Sequence, residues 1–313
     1  MLIKQADDKT KRLQLLESLQ ASPLLDVRQK SWLKDEYWSV KQGIDGERDA
    51  AFHIDSVMRD GQNTAVLHDL RFVVDGDVAQ IDHLVMNRLM DFILVETKCY
   101  AGHVDINEVG EFTVRYGSGK QFGVPSPLAQ SERHARVLSK LLDKLGITGR
   151  LGSQPKFHHL VMFHPKAIIM RPDAKKLDTS NVIKADQFAQ WRGRWVEDAS
   201  ALTVLAGAIN MRGRDTVKEW AEMLVRQHRP ADLLTLPDFM KPREMPVGAA
   251  RSARSEQASA PAAATTTEAP SEKRLICARC GCKISFPEGK FCWNNPQRFG
   301  GTQYCREHQA AFK

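Results

Sequence analysis

The sequence has no long apolar run. No stretch of the 313 residues approaches the ~18 consecutive apolar residues that indicate a transmembrane helix, so no membrane partner is expected. The opening segment, MLIKQADDKTKRLQLLESLQ, also lacks the apolar centre of a secretory signal peptide. We therefore expect a cytoplasmic protein.

Acidic residues are in modest deficit. The chain has 38 Asp and Glu against 45 Lys and Arg, which gives a formal charge of +7 and a pI near 9.1. A basic chain suits a polyanionic partner such as nucleic acid, although many basic proteins of this size bind none. No internal repeat is present, and 42% hydrophobic residues is ordinary for a globular protein.

Aromatic residues are absent from residues 245–273, a segment rich in Ala, Ser, Thr, Pro and Glu. Such a composition buries too little apolar surface to offset the entropy of ordering, so it predicts a flexible linker. The expected organisation is an N-terminal helical segment (1–40), a core domain (41–165), a helical extension that packs on the core (166–244), the linker (245–273) and a small C-terminal module (274–313).

Hydrophobic periodicity predicts an α/β fold with a mixed sheet flanked by helices. Residues 10–36 are expected to form short helices that break at SPLL. A helical stripe then starts at Gly43, and this helix is expected to end at Gly61. The later predicted elements are strands in TAVLHDLRFVV, VAQIDHLVM and DFILVETK, a hairpin or loop in 105–123, a helix from Pro127 to Gly146, a strand in FHHLVMFHP, and helices in 186–228.

Two of the predicted strands bring acidic residues together. If VAQIDHLVM and DFILVETK form an antiparallel hairpin that turns at Leu89, Asp82 lies directly opposite Glu96. Like charges that face each other across a ladder repel unless something positive lies between them. Two carboxylates form a partial oxygen shell suited to Mg²⁺, so the pattern indicates a site for a divalent cation.

Lys98 follows Glu96 by two residues and therefore shares its face of the strand. Its amine could orient or deprotonate an attacking water and offset charge that grows on a phosphate. An Asp with Glu-x-Lys on the adjoining strand thus has the groups needed for metal-assisted phosphodiester hydrolysis. Glu-x-Lys alone would more simply be a surface ion pair at a strand end.

Four blocks of sequence carry a resemblance to a known family. They are GIDGERDA, QIDHLVM, ILVETKCYAG and SPLAQSERHARVL, and they span roughly residues 40–165. Together they resemble the nuclease-related domain (NERD) family of the PD-(D/E)xK nuclease superfamily. The resemblance implies a nuclease-like mixed sheet flanked by helices, DNA as the substrate, and Mg²⁺ or Mn²⁺ as the catalytic ion.

Carried over residue by residue, the resemblance implies that Asp82 and Glu96 are metal ligands and that Lys98 is the catalytic lysine. Two positions depart from the usual pattern. Ile81 stands where the superfamily name has proline, and Cys99 follows the lysine where Asn is more usual. Neither departure removes a catalytic atom.

The resemblance also implies accessory residues on two helices. Glu47 would be an acid beside the metal, and the Gly-Glu pair is expected to open its helix. Gln130 and His134 lie one helical turn apart, so both can face the site or the substrate backbone. The alternatives are a first-turn acid stabilised by the helix dipole for Glu47 and a solvated helix face for the other two. His83 is expected to point away from the site.

Cysteine is scarce outside the C-terminal module. Cys99 stands alone, whereas the other five of the six cysteines lie near the C-terminal end. In a chain without a secretory signal, such clustering indicates metal ligation rather than disulfides. Cys277-x2-Cys280 and Cys305-x2-His308 form paired knuckles suited to tetrahedral Zn²⁺, which folds segments too small to hold a core.

The ligand choice in this module has alternatives. Cys282 and Cys292 compete for a position, and Cys292 is the stronger substitute. Basic and aromatic residues surround the knuckles, which suits backbone neutralisation and base stacking. They are Lys273, Arg274, Arg279, Lys283, Lys290, Arg298 and Arg306, with Phe286, Phe291, Trp293, Phe299 and Tyr304. The module looks like a zinc ribbon, similar to C-terminal zinc modules of some nuclease-related and topoisomerase proteins.

Taken together, these features favour a metal-dependent DNA nuclease with a tethered zinc module that aids nucleic-acid binding. The second interpretation is a non-catalytic DNA-binding or recruitment protein on a nuclease fold. The third makes RNA the substrate, or a protein the partner of the zinc module. The pattern carries no indication of oligomeric state.

Overall fold

A computed structural model describes residues 1–149, 153–198, 211–241, 275–280, 282–300 and 302–312. The chain divides into two compact units, Met1–Arg243 and Glu244–Lys313, and each is described by itself. The predicted linker (245–273) lies outside the described residues, as do residues 199–210 of the predicted helical stretch. No described helix has both the length and the apolar character needed to cross a bilayer.

The large unit contains both strands and helices. In chain order the strands are β1 (Leu2–Lys4), β2 (Thr64–Val74), β3 (Asp77–Asn87), β4 (Asp91–Lys98), β5 (His103–Ile106), β6 (Phe112–Arg115), β7 (Gln121–Val124), β8 (Lys156–Phe163), β9 (Ile169–Met170) and β10 (Val182–Lys184). The helices are α1 (Thr10–Gln20), α2 (Val27–Met58), α3 (Pro127–Lys144), α4 (Phe188–Glu197) and α5 (Arg214–Gln227), with short 3₁₀ turns at Ala185–Gln187 and Asp238–Met240.

The main sheet has six strands in the order β1-β2-β3-β4-β8-β10. Strands β2, β3 and β4 pair antiparallel, whereas β1 is parallel to β2, and β8 is parallel to both β4 and β10. A second sheet has the order β7-β6-β5-β9, and the segment 105–123, expected to be a hairpin or a loop, forms antiparallel hairpins in it. The predicted mixed α/β fold is confirmed.

Helices cover both faces of the main sheet. On one face, α3 and α5 pack through residues such as Leu138 and Trp220 against the alternate apolar positions of β2, β3 and β4. On the other face, α2 and α4 pack through residues such as Ile54 and Phe188. The central strands are therefore buried on both sides, which explains why β4 begins as the nearly continuous apolar run DFILV.

Helix α2 begins at Val27, so the predicted start at Gly43 was wrong. The Asp26 side chain caps the helix by accepting a hydrogen bond from the backbone N–H of Gln29, and the Gln29 side-chain oxygen accepts one from the backbone N–H of Asp26. Gly43 lies inside the helix, where a single glycine lowers stability without ending a helix that is held by packing. The predicted end is close, because α2 stops at Met58, just before Gly61.

Helix α3 follows the prediction closely. It runs from Pro127, the first-turn proline, to Lys144, and the Ser126 side chain caps it. Gly146 follows the helix with a φ of 67°, a left-handed conformation in which glycine is favoured. The short strands β1, β9 and β10 were not predicted, because two or three residues are too few to show a periodicity.

The small unit has little regular structure. It contains an isolated bridge between Ile276 and Lys283, followed by helices α6 (Phe286–Trp293), α7 (Pro296–Phe299) and α8 (Arg306–Gln309). Phe299 is buried and contacts the rings of Tyr304 and Phe312, with centroids 6.2 and 5.5 Å away. This core is small, so the unit needs another source of stability.

Candidate active site

The alternation of buried residues changes phase in the middle of β2 and β3. Leu67 and Leu70 belong to the same core cluster although they are three positions apart, and so do Ile81 and Leu84. In a regular strand, residues three apart point to opposite faces. The regular alternation of side-chain directions is therefore interrupted between Leu67 and Leu70 in β2, and between Ile81 and Leu84 in β3.

Asp69 and Asp82 lie at the points where this alternation is interrupted. Asp69 has a φ of 53°, the left-handed conformation that Asp adopts more readily than most residues. The β2–β3 ladder is paired on both sides of these acids but not between them, since the adjacent pairs are His68 with His83 and Leu70 with Ile81. Because the ladder is interrupted here, Asp82 is not paired with a residue of β2.

The predicted register of the β3–β4 hairpin is confirmed, for example by the pairs His83 with Val95 and Met86 with Phe92. The ladder ends there, however, so Asp82 and Glu96 do not form the directly opposed ladder pair that was expected. Instead, the backbone N–H of Thr97 donates to Asp82 Oδ2 at 2.8 Å. The Asp82 carboxylate thus binds a backbone N–H of β4 beyond the last ladder pair.

Glu96 lies at the centre of a hydrogen-bonded group on the α3 side of β4. Lys98 Nζ donates to Glu96 Oε1 at 2.6 Å, and Gln130 Nε2 donates to the same oxygen at 2.7 Å. Lys98 Nζ also lies 3.3 Å from Gln130 Oε1, and His134 Nδ1 lies 3.8 Å from Glu96 Oε2. Helix α3 thus presents Gln130 and His134 to the site rather than to solvent.

Glu47 reaches the same cleft from the middle of α2. A Cβ atom on the neighbouring Gly46 would lie only 2.9 Å from the Cβ of Cys99, so glycine permits this close approach of α2 to the end of β4. The expectation that the Gly-Glu pair opens its helix was wrong, since α2 begins at Val27. The alternative of a first-turn acid stabilised by the helix dipole is excluded for the same reason.

Lys9 contacts this acidic group and was missed in the sequence. Its Nζ donates to Glu47 Oε2 at 2.7 Å and lies 3.3 Å from Asp69 Oδ2. Lys9 precedes α1, in a segment whose pattern gives no indication of a contact with residues far along the chain. Asp69 was missed too, but it could have been found, because LHDLR breaks the apolar alternation at an Asp just as QIDHL does at the predicted Asp82.

The acids raise one another's pKa. Loss of solvent, followed by the charges of Glu96 and Glu47, raises the pKa of Asp82 well above its ordinary value. Burial also raises the pKa of Glu96 and of Glu47, and nearby lysines only partly offset this effect. For Lys98, burial favours the neutral amine, but the adjacent Glu96 carboxylate more than offsets it and the pKa is raised. Lys98 is therefore held in its charged form.

His83 points away from these acids, as expected, and supports them from behind. Its Nδ1 lies 2.8 Å from the Nδ1 of the buried His68, and its Nε2 lies 3.1 Å from the hydroxyl oxygen of Thr97. The backbone N–H of Thr97 is the group that binds Asp82. The pair of histidines therefore helps to hold the strand end that positions the acid.

The six residues predicted for the nuclease site all line one cleft of about 1070 Å³. Its lining includes Glu47, Asp82, Glu96, Lys98, Gln130 and His134. The pKa of His134 is lowered to about 4, first by burial and then by Arg133 and Lys98, so this ring is neutral near pH 7. These six residues therefore bring together three carboxylates, one ammonium group and two neutral hydrogen-bonding side chains.

A second group of ligand-type side chains lies in the small unit. The sulfur atoms of Cys277, Cys280, Cys282 and Cys305 all lie within 4.8 Å of one another. Four thiols at this spacing are compatible with one tetrahedral Zn²⁺ and with a zinc ribbon. Cys282 therefore joins three of the four predicted ligands.

The other two candidates lie differently. His308 Nδ1 is 3.4 Å from Cys277 Sγ and 3.2 Å from Cys305 Sγ, at the edge of the cluster. Cys292 was the favoured substitute, and that preference was wrong. Its sulfur is buried, accepts hydrogen bonds from Tyr304 N and Gln309 Nε2, and lies outside the cluster.

Comparison with known proteins agrees with the geometry. Residues 42–164 match the NERD family model, described as the nuclease-related domain. The match covers every predicted residue of the cleft and excludes Lys9, and it identifies this region as a nuclease-related domain. Searches of curated proteins and of solved structures gave no match.

Proposed function

We propose that the protein hydrolyses phosphodiester bonds in DNA with the help of a divalent cation. The observation that carries this proposal is the convergence of Asp82, Glu96 and Glu47 beside Lys98 in an open cleft of a nuclease-related domain. Carboxylates that raise one another's pKa cost stability in a folded protein. A site with a purely structural role has no physical reason to gather them.

The donor set fits Mg²⁺ or Mn²⁺. Carboxylate oxygens are the ligands these ions prefer, and the negative charge that raises the pKa of Asp82 is the charge that a cation would neutralise. Asp82 and Glu96 would hold the ion, with Glu47 as an accessory acid. When bound, the ion polarises a phosphate oxygen and activates water.

Lys98 would act on the reacting phosphate. Hydrolysis forms a bond between a water oxygen and phosphorus and breaks the bond to the leaving sugar oxygen, which takes up a proton. A charged amine beside Glu96 can donate hydrogen bonds to the attacking water or to a phosphate oxygen as negative charge grows there. Because its pKa is raised, charge neutralisation suits Lys98 better than proton abstraction.

Gln130 and His134 would position the other groups. Gln130 fixes the orientation of Glu96 by donating to Oε1, and its own oxygen lies near the Lys98 amine. Neutral His134 can hydrogen-bond to the substrate backbone without adding charge. These two residues extend the site along α3.

For the small unit we propose a zinc module that aids DNA binding. Cys277, Cys280 and Cys305 would be zinc ligands, with Cys282 in the fourth position and His308 in contact with the cluster. Phe291 and Trp293 are 46% and 45% exposed, so part of each side chain faces solvent, where a base could stack. A tethered module of this kind raises the local concentration of the nuclease on DNA.

The proposal is tested by incubating the full chain with plasmid, linear and single-stranded DNA in Mg²⁺, in Mn²⁺, or without either ion. We expect cleavage that requires the added ion and falls by about 10²–10³-fold in Lys98→Ala. Lys140→Ala is the matched control, because Lys140 is an exposed lysine on α3 paired with Asp77. Binding without cleavage under all conditions would favour the recruitment protein instead.

A further inference from the structure

The cleft has aromatic walls that the proposed chemistry does not use. Trp38, on α2, is 58% exposed, and Tyr116, at the end of β6, is 37% exposed. Both line the cleft that contains the acids, together with the half-buried Tyr100. Large exposed aromatic rings at a catalytic cleft indicate contact with a ligand that has flat apolar faces.

The charge of the cleft limits how it can hold DNA. Among the lining residues that the structure describes, Asp35, Glu47, Asp82 and Glu96 contribute carboxylates, whereas Lys98 is the single lysine or arginine. Duplex DNA is held mainly by lysine and arginine side chains that neutralise its phosphates. One lysine neutralises little of the charge on a DNA backbone, so contacts with the bases would have to contribute much of the affinity.

Unpaired bases provide the missing contact. In a duplex the base faces are stacked on one another, whereas in a single strand they are available to aromatic side chains. Gln42 and Gln80 also line the cleft and offer amide groups that can hydrogen-bond to base edges. The volume of about 1070 Å³ exceeds most small-molecule pockets, so the cleft has room for a segment of a polymer.

We propose that this cleft binds an unpaired DNA strand, with Trp38 and Tyr116 stacking on its bases beside the acidic group. The substrate class would then be single-stranded DNA or the frayed ends of a duplex. Only the choice of DNA as the ligand rests on the proposed nuclease function. Sequence preference is not expected, because every base has a face that can stack.

The test is the affinity of the full chain for a labelled oligothymidine and for a duplex of equal length, by fluorescence anisotropy without Mg²⁺ or Mn²⁺. We expect the wild-type protein to bind the oligothymidine more tightly. Trp38→Ala should weaken this binding by about 10-fold and leave duplex binding unchanged, whereas Trp38→Phe should keep most of the affinity. The zinc module is present in every variant, so its contribution cancels.

Phe52→Ala is the matched control. Phe52 is 68% exposed on the same helix, fourteen positions from Trp38, which is about 21 Å along the axis, and it does not line the cleft. We expect Phe52→Ala to bind the oligothymidine like the wild type. Thermal unfolding of each variant checks that the fold is intact.

Two results would overturn the assignment. One is equal oligothymidine binding by Trp38→Ala and Phe52→Ala, and the other is an equal loss on duplex and single strand. If the wild-type protein cleaves DNA and either of these results is obtained with the variants, only the cleft assignment is refuted. If the wild-type protein does not cleave DNA but Trp38→Ala weakens oligothymidine binding as expected, only the proposed hydrolysis is refuted.

Discussion

The cluster of acidic residues in the cleft and the cysteine cluster in the small unit differ in how much regular secondary structure and buried core surrounds them. Asp82 and Glu96 lie on strands of a six-stranded sheet with buried apolar clusters on both faces, and Glu47 lies on a helix that packs against that sheet. The cysteines lie on a segment with one isolated bridge and helices of four to eight residues. The first site should exist without its ion, whereas the second should depend on its ion for its fold.

Removal of zinc should have the largest effect and should be confined to the small unit. Binding of structural zinc contributes on the order of 10 kcal/mol to the folding of small zinc domains. With a strong zinc chelator, hydrogen exchange of the full chain should show loss of protection in residues 275–312 and little change in residues 1–149. Cys280→Ser should reproduce the loss, and Cys99→Ser should not. A small unit that stays protected without metal would remove the contrast between the two sites.

Asp82→Asn should separate activity from stability at the carboxylate site. It removes one of the repelling charges, and its amide oxygen can still accept the Thr97 N–H. We expect DNA cleavage to fall by about 10²-fold or more. In the absence of divalent ions, the free energy of unfolding should rise by about 1 kcal/mol. Chemical denaturation and a cleavage assay measure the two effects, and an unchanged cleavage rate would refute the proposed role of Asp82.

Lys9→Met should destabilise the large unit, because it leaves Glu47 and Asp69 without their cation. The Lys9 side chain is 17% exposed, so the loss should be about 1–3 kcal/mol, below the range for fully buried ion pairs. Lys11→Met, at a nearby exposed position on α1, should have little effect. Urea denaturation of both variants provides the measurement, and equal stabilities would contradict a structural role for the Lys9 contact.

The pH dependence of stability should show the smallest effect. The pKa values of Asp82, Glu96 and Glu47 are raised in the folded protein, so the folded state binds more protons than the unfolded chain above the ordinary value of about 4. Without divalent ions, the free energy of unfolding should therefore fall as pH rises from about 4 through the raised values. Asp82→Asn should reduce this slope in denaturation curves measured across that range, and a slope identical to that of the wild type would contradict the assignment.

Much of this fold could be predicted because its signals are local. The strands β2, β3 and β4 and the helix α3 have clear periodicity and capping residues, and the β3–β4 register follows from a short turn. The start of α2 is marked in the sequence by the Asp26–Gln29 capping box, whereas the glycines inside the helix favour a later start. Sequence patterns cannot show that packing against α4 and the sheet keeps α2 helical at Gly43 and Gly46.

The site was predicted less completely, because its details depend on contacts between distant residues. Asp82 and Glu96 follow from strand pairing, but the break in pairing at Asp69 depends on a left-handed residue in the adjacent strand. The Lys9 contact depends on where the segment between β1 and α1 lies relative to α2 and β2. The position of Trp38 in the cleft wall was also not predicted, because the helix that carries it begins at Val27, well before the predicted start at Gly43.

The most direct test of the central claim is a titration of Mn²⁺ into the zinc-loaded full chain, with free Mn²⁺ followed by electron paramagnetic resonance. We predict that the wild-type protein binds Mn²⁺ at a site that is lost in Asp82→Asn, while both proteins remain folded. Equal Mn²⁺ binding by the two proteins would contradict the claim that Asp82 and Glu96 hold a shared divalent ion.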